Sequence, residues 1–139
     1  MMYEDNTRGK IMFPARKKQL IDFSGVKYGK ITPTDIDGFF EMNDNIFIFL
    51  EYKYGNTKMP YGQKLAYERL VNALSETDRK AIVVVCKHNV EDTNEDINGA
   101  NAVVEEYYYS HKWHTGVGRP VKQVIDNFIS SFKEIRRPS

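Results

Sequence analysis

The sequence has little cysteine, no long apolar run and almost no net charge. Cys86 stands alone among 139 residues, so disulfide frameworks and clusters of thiolate metal ligands are excluded. Because Cys86 lies inside an apolar segment, we expect it to be a small core residue in a reducing compartment. The longest uninterrupted apolar runs are only a few residues, which excludes a membrane-spanning helix. A formal net charge of +1 gives no overall field that would attract a nucleic acid, so such attraction would depend on local charge.

The composition is otherwise that of an ordinary globular protein, with 41% hydrophobic and 28% charged residues. No internal repeat, low-complexity stretch or linker interrupts the chain, and its length is sufficient to bury a core. We therefore predict a single domain over residues 1–139. The polar stretch Met1–Lys10 lacks the apolar centre of a signal peptide, so the expected location is the cytoplasm.

A β-hairpin is the chemically richest part of the chain. Ile36–Met42 and Ile46–Tyr54 read as two strands, and Asn43–Asn45 supplies turn residues between them. If Asn43–Asn45 form a three-residue loop, Met42 lies directly opposite Ile46 on the neighbouring strand. Side chains alternate across a strand, so this odd loop length decides which residues share a face of the hairpin.

This register brings two acids together. Asp37 then faces Glu51, and Asp35 faces Lys53, all on one side of the hairpin. Facing carboxylates repel unless one takes up a proton or a cation lies between them, and oxygen ligands at this separation suit Mg²⁺ or Mn²⁺. Lys53 could then orient or deprotonate an attacking water, or balance charge on phosphorus. The alternative is a surface hairpin with an ordinary ion pair from Lys53 to Glu51 or Asp35; the apolar run before the Glu-x-Lys triplet favours the metal site.

The order of these motifs resembles the PD-(D/E)xK nuclease superfamily. Asp37 lies in the segment Asp-Ile-Asp-Gly, and Glu51 opens Glu-Tyr-Lys before a helix that begins Gly-Gln-Lys-Leu-Ala-Tyr. The spacing of Gln63 and Tyr67 is similar to the Gln-x-x-x-Tyr motif of the exonuclease branch found in bacterial recombination nucleases. Residues four apart lie on one helical face, so both would point toward the hairpin.

The resemblance implies a role for each motif residue. Asp37, Glu51 and the backbone carbonyl of Tyr52 would hold Mg²⁺ or Mn²⁺. Lys53 would be the catalytic lysine, and Gln63 would position the site.

Two further residues are candidates for accessory roles in the metal site. Tyr67 is one accessory candidate, and Asp35 is the other because it could hold a second ion or pair with the lysine. The chain departs from the family pattern at Ile36, which occupies the position before Asp37. No upstream acid is assigned, with Glu4 and Asp22 both available.

The remaining sequence alternates between helices and strands. The predicted elements are a helix over Ala15–Phe23, a strand or loop over Gly25–Pro33, a helix over Pro60–Leu74, strands over Ala81–Cys86 and Ala102–Ser110, and a helix over Pro120–Ile135. Asn89–Asn101 and His111–Pro120 read as loops. A strand–helix–strand unit favours a mixed sheet. The expected fold is therefore α/β, a central mixed β-sheet flanked by helices, which the resemblance makes restriction-endonuclease-like.

Charge is distributed unevenly along the chain. Between Arg8 and Lys30 there are seven basic residues and one acid, whereas Asp35–Glu51 has five acids and no base. The basic stretch is either a solvated helix face or a phosphate-contacting surface beside the acidic hairpin.

Two later segments also leave alternatives open. The mixed aromatic and basic residues after His111 either stack on bases, or Trp113 packs on the last helix and the others are solvated. The apolar stripe of that last helix is either core packing or a homodimer face.

Together with the resemblance, these features predict a divalent-metal-dependent deoxyribonuclease that hydrolyses DNA phosphodiester bonds, with RNA left open as a substrate. The alternative is a non-catalytic nucleic-acid-binding or assembly module that keeps the nuclease fold. A third possibility is an enzyme that acts only as a subunit of a larger complex.

Overall fold

A computed structural model describes residues 22–133 of the chain. The chain divides into two compact units, Met1–Thr34 and Asp35–Ser139. In the described part of the first unit, Tyr28 and Ile31 exchange backbone hydrogen bonds of 2.9 and 3.0 Å around Gly29, whose φ is +63°. The predicted strand or loop in this segment is therefore a tight turn. The single-domain interpretation stays a prediction.

The second unit contains five strands and two helices. They are β1 (Gly38–Met42), β2 (Ile46–Tyr54), α1 (Tyr61–Ser75), β3 (Lys80–His88), β4 (Val103–Tyr109), β5 (Lys112–Thr115) and α2 (Val121–Lys133). Neither helix in the described part combines the length and apolar character needed to cross a bilayer. The helix predicted over Ala15–Phe23 lies outside the described residues except for its last two positions, which are not helical.

The five strands form one mixed sheet in the order β1-β2-β3-β4-β5. Only β2 and β3 run parallel, and α1 connects them. The other neighbouring pairs are antiparallel. The α/β prediction of a mixed sheet flanked by helices is confirmed.

The hairpin register agrees with the prediction. Met42 pairs with Ile46, and Gly38 pairs with Leu50. Asn43 and Asp44 in the three-residue loop have φ values of +53° and +55°, a backbone conformation that Asn and Asp tolerate better than most residues.

The first strand begins at Gly38, two residues later than predicted. The reason is a side chain. The backbone N–H of Tyr52 donates to the Asp37 carboxylate over 2.8 Å, so the carboxylate takes the hydrogen bond that a longer β1 would accept through its main chain.

Each face of the sheet is covered by one helix. On one face, Val121, Val124 and Phe128 of α2 pack on even-numbered residues of β2 and β3 such as Ile48 and Val84. Such apolar burial is the main source of stability for a domain of this size. The stripe of α2 is therefore core packing, as one of its two interpretations predicted.

On the other face, α1 buries Tyr67 and Val71 against Phe49 and Val83. The apolar residues in the sequence of α1 predict that Leu65, Leu70, Ala73 and Leu74 can be buried. That prediction is wrong in part, since Leu70 is 37% exposed. Tyr67 and Val71 lie four residues apart, so they share the face that meets the sheet.

Lys112–Thr115 form a strand, so the loop predicted over His111–Pro120 is wrong for these four residues. Ser110 and His111 have φ values of +56° and +63°, which closes a tight hairpin between β4 and β5. The sequence carries no signal for this turn, because non-glycine residues seldom adopt positive φ. Trp113 of β5 donates to Glu68 of α1 over 2.6 Å, so the alternative that packs it on the last helix is wrong.

Gly116 provides a test of this fold. A methyl group on its Cα would overlap the backbone carbonyl oxygen of Val104, which cannot rotate away as a side chain can. We expect Gly116→Ala to lower the free energy of unfolding by about 3 kcal/mol, measured by urea denaturation.

Gly62→Ala is the matched control, because Gly62 lies in α1 with no neighbouring atom within 4 Å of the added methyl. It should raise the free energy of unfolding by about 0.5–1 kcal/mol. A Gly116→Ala variant as stable as the wild type would contradict the close approach of Gly116 to the Val104 carbonyl.

Candidate active site

The site is built around a buried acid in β2. Glu51 and Lys53 lie on the face of the sheet that α1 covers, because side chains alternate along the strand. Glu51 is 3% exposed. A carboxylate at this depth needs both a cationic partner and hydrogen-bond donors, since transfer of a charge out of water is costly.

Two side chains meet this requirement. The hydroxyl of Tyr67 donates to Glu51 Oε1 over 2.8 Å, and Lys53 Nζ lies 3.2 Å from Glu51 Oε2. Lys53 Nζ also donates to Gln63 Oε1 over 3.3 Å. One connected network of polar contacts therefore links two neighbouring side chains on one face of β2 to the first two turns of α1.

The start of α1 positions the other half of this network. Pro60 precedes the helix as its N-cap, and its carbonyl accepts the backbone N–H of Lys64 over 3.0 Å. Gln63 and Tyr67 follow four residues apart and thus share one face. Their predicted orientation toward the hairpin is confirmed by the contacts with Lys53 and Glu51.

Asp37 lies at the exposed edge of the network. The register of β1 and β2, continued one pair beyond Gly38 and Leu50, sets Asp37 opposite Glu51. Its charge contributes to the raised pKa of Tyr67, so Asp37 acts electrostatically on the hydroxyl that binds Glu51. Asp37 is also solvent-exposed, which leaves this side of the site open to a ligand.

The available donors are oxygen atoms of the kind that Mg²⁺ and Mn²⁺ prefer. They are the carboxylates of Asp37 and Glu51 and the backbone carbonyl of Tyr52. A residue in an extended strand points its N–H and C=O toward the same neighbour, and Tyr52 N–H binds Asp37. The Tyr52 carbonyl therefore faces the edge where Asp37 lies. No group of three or more acidic, histidine or cysteine side chains suited to a metal occurs within residues 22–133.

The accessory acid Asp35 lies in an exposed segment before β1. Its predicted position opposite Lys53 would continue the register beyond the end of the strand. The ion pair of Lys53 is with Glu51 instead.

Burial shapes the acid–base properties of three neighbouring side chains. Burial, the hydrogen bond to Glu51 and nearby negative charge hold the pKa of Tyr67 well above its ordinary range. Burial, Cys86 and the charge of Asp37 raise the pKa of Tyr52 to about 12. Burial raises the pKa of the Cys86 thiol to about 12, so Cys86 is an unreactive core thiol, as predicted.

Several residues around the site were not identified from the sequence. A bulge in β4 between its pairings with Val85 and Cys86 lies next to Glu105 and Glu106. These acids pair with Lys58 over 3.5 Å and with Lys64 over 3.4 Å. Lys87 lies directly beside Lys53 in the parallel register, which could be found only once the pairing of β2 with β3 was known.

The histidines offer no metal site within the described residues. His88 is the last residue of β3, and its ring packs on Tyr54 with centroids 5.7 Å apart. His114 stacks on Tyr107 at 4.9 Å. Both therefore serve packing.

Tyr67 supplies a pH test of the network. We expect Tyr67→Phe to cost about 2 kcal/mol of unfolding free energy near pH 8, because the Glu51 carboxylate loses a buried donor. The folded pKa of Tyr67 lies above the unfolded one, so this phenol stabilises the fold fully below pH about 10 and progressively less above it.

The stability difference between the wild type and Tyr67→Phe should accordingly shrink by about 1.4 kcal/mol per pH unit above about 10. Urea denaturation between pH 8 and 11 measures it. Tyr61→Phe is the control, since Tyr61 is 78% exposed. A difference that does not change with pH would show that Tyr67 is not buried against Glu51.

Comparisons of the chain with protein-family models, with curated proteins and with solved structures found no match.

Proposed function

We propose that the protein is a divalent-metal-dependent deoxyribonuclease of the PD-(D/E)xK type, with a restriction-endonuclease-like fold and a cytoplasmic location. The observation that carries this proposal is the connected set of Glu51, Lys53, Gln63 and Tyr67 beside the exposed Asp37. Four of these residues, which the resemblance or the hairpin register singled out, form one hydrogen-bonded network between β2 and α1, and Asp37 binds the backbone of the same stretch of β2.

Energetics favours chemistry over a purely structural role. A buried ion pair often adds nothing to stability compared with apolar residues of the same volume. The pair of Glu51 and Lys53 occupies an apolar sheet face, where packing alone would favour such residues. Perturbed titratable groups next to an open carboxylate are typical of active sites.

Each residue then has a distinct task. Asp37, Glu51 and the Tyr52 carbonyl would hold Mg²⁺ or Mn²⁺, which when bound polarises the phosphate and lowers the pKa of a bound water. Tyr67 fixes the orientation of Glu51, and Gln63 fixes Lys53.

Lys53 acts on the reacting groups. Hydrolysis forms a bond from the water oxygen to phosphorus and breaks the bond from phosphorus to the leaving sugar oxygen. The attacking water gives up one proton to solvent, and the leaving oxygen takes one up from solvent. Lys53 orients the attacking water and balances the negative charge that grows on the phosphate oxygens. DNA is the proposed substrate, with RNA as the second nucleic acid to be tested.

Charge limits how the substrate is held. Residues 35–133 carry 15 acidic and 11 basic side chains, a net charge of −4, whereas residues 1–34 carry seven basic and three acidic side chains, a net charge of +4. A polyanionic substrate would therefore need local cations at the site, the basic first unit or a partner subunit, whether a second copy or another protein.

The same charge balance supports the second candidate function, a non-catalytic nucleic-acid-binding or assembly module. In that case Glu51 would only neutralise the Lys53 ammonium, and Gln63 would only accept a hydrogen bond from it. Binding of DNA without turnover in either Mg²⁺ or Mn²⁺ would favour this module over the nuclease.

Lys53→Met and Glu51→Gln test the catalytic role. We expect each to reduce Mg²⁺-dependent cleavage of labelled single-stranded, double-stranded and branched DNA by at least about 100-fold. Lys122→Met is the matched control, because Lys122 is exposed on α2 and pairs only with Asp126 among the described residues. EDTA should abolish wild-type cleavage.

Loss of folding must be separated from loss of catalysis. Removal of one member of a buried pair leaves an uncompensated group and costs about 3–5 kcal/mol, so each variant is checked by circular dichroism and thermal unfolding. The double variant Glu51→Gln/Lys53→Met removes both charges and should recover part of the stability while remaining inactive. Full cleavage by a folded single variant would refute the proposed mechanism.

A further inference from the structure

The parallel register of β2 and β3 places two lysines side by side. In the strand register Lys53 lies beside Lys87, and Glu51, two residues earlier in β2, lies beside Val85. Paired residues of neighbouring strands point to the same face, and the strands lie about 4.8 Å apart. Lys87 therefore lies on the face of the site, at the carboxyl ends of the only two parallel strands in the described sheet.

The other lysines around this face have carboxylate partners. Lys53 binds Glu51, and the two lysines at and before the start of α1, Lys58 and Lys64, bind the acids at the bulge of β4. Lys87 has no such partner, since no carboxylate within residues 22–133 forms an ion pair with it. Its neighbours in the register are Lys53 on one side and Val103 on the other.

Two lysines in paired register positions on one sheet face concentrate positive charge there, which a bound anion would offset. Lys87 is only partly exposed, so water does not fully compensate its charge. Glu51 already pairs with Lys53, so the positive charge of Lys87 is available to an external anion.

We propose that Lys87 binds a backbone phosphate next to the one that is cleaved. This inference rests on the proposed nuclease function and specifies its substrate. The substrate is a phosphodiester chain with a charged phosphate next to the scissile one, and not an isolated phosphate ester. Lys87 would contribute equally to substrate and transition-state binding, because its phosphate does not react.

Binding without cleavage tests the contact directly. Labelled single-stranded and double-stranded DNA is titrated with the full chain in EDTA at several salt concentrations. We expect Lys87→Gln to weaken binding about five- to ten-fold at low salt and to reduce the slope of log affinity against log salt by about 0.7–0.9, the value of one phosphate contact. Lys87→Arg should retain most of the affinity and the slope.

Lys122→Gln is the control for the loss of one positive charge, because Lys122 lies on the opposite face of the sheet. It should leave the slope nearly unchanged. In cleavage assays Lys87→Gln should raise KM by a similar five- to ten-fold with kcat nearly unchanged, since uniform binding is lost.

A chemically neutralised substrate locates the phosphate. Oligonucleotides with one uncharged methylphosphonate beside the scissile position should bind the wild type less well, and at the correct position Lys87→Gln should cause no further loss. Additive losses at every position would overturn the contact. So would a Lys87→Gln variant with the affinity and slope of Lys122→Gln.

The two proposals can fail separately. A wild-type protein that binds DNA with this dependence on Lys87 but cleaves nothing upholds the phosphate contact and overturns only the nuclease activity. Cleavage by the wild type without dependence on Lys87 overturns only the contact. No measurable binding to any nucleic acid overturns it as well.

Discussion

The buried carboxylate of Glu51 is the constraint on which the site depends. It lies on an apolar sheet face, where an unsatisfied charge would cost several kcal/mol. The hydroxyl of Tyr67 and the ammonium of Lys53 satisfy it. Because Tyr67 belongs to α1, this requirement also sets the rotational phase of the helix, and Gln63, one turn earlier, then reaches Lys53.

The surrounding fold brings the reactive groups to a single edge. The parallel strands β2 and β3 end together, and α1 crosses the face that carries Glu51. Tyr52 connects two parts of this edge: its N–H binds Asp37, and its hydroxyl donates to the carbonyl of Gly99 over 3.1 Å in the loop after β3. Gly99 permits this approach because a Cβ there would lie 2.8 Å from the Tyr52 hydroxyl oxygen. The edge is thus held from both sides of β2.

Much of the site could be predicted from local sequence, and the remainder depends on long-range packing. The loop Asn43–Asn45 determines the hairpin register, so the position of Asp37 followed from loop length and alternation alone. The helical spacing of Gln63 and Tyr67 was equally local. By contrast, the turn at Ser110 that creates β5 has no sequence signal, and Lys87 meets Lys53 only through the pairing of strands joined by a helix.

The central claim is that Asp37 and Glu51 share one divalent cation beside Lys53. The most direct measurement is an anomalous diffraction map of crystals grown with Mn²⁺. The account predicts a Mn²⁺ peak about 2.1 Å from a carboxylate oxygen of each acid and from the Tyr52 carbonyl oxygen. A fully occupied Mn²⁺ elsewhere, with the Asp37–Glu51 edge empty at saturating Mn²⁺, would contradict it.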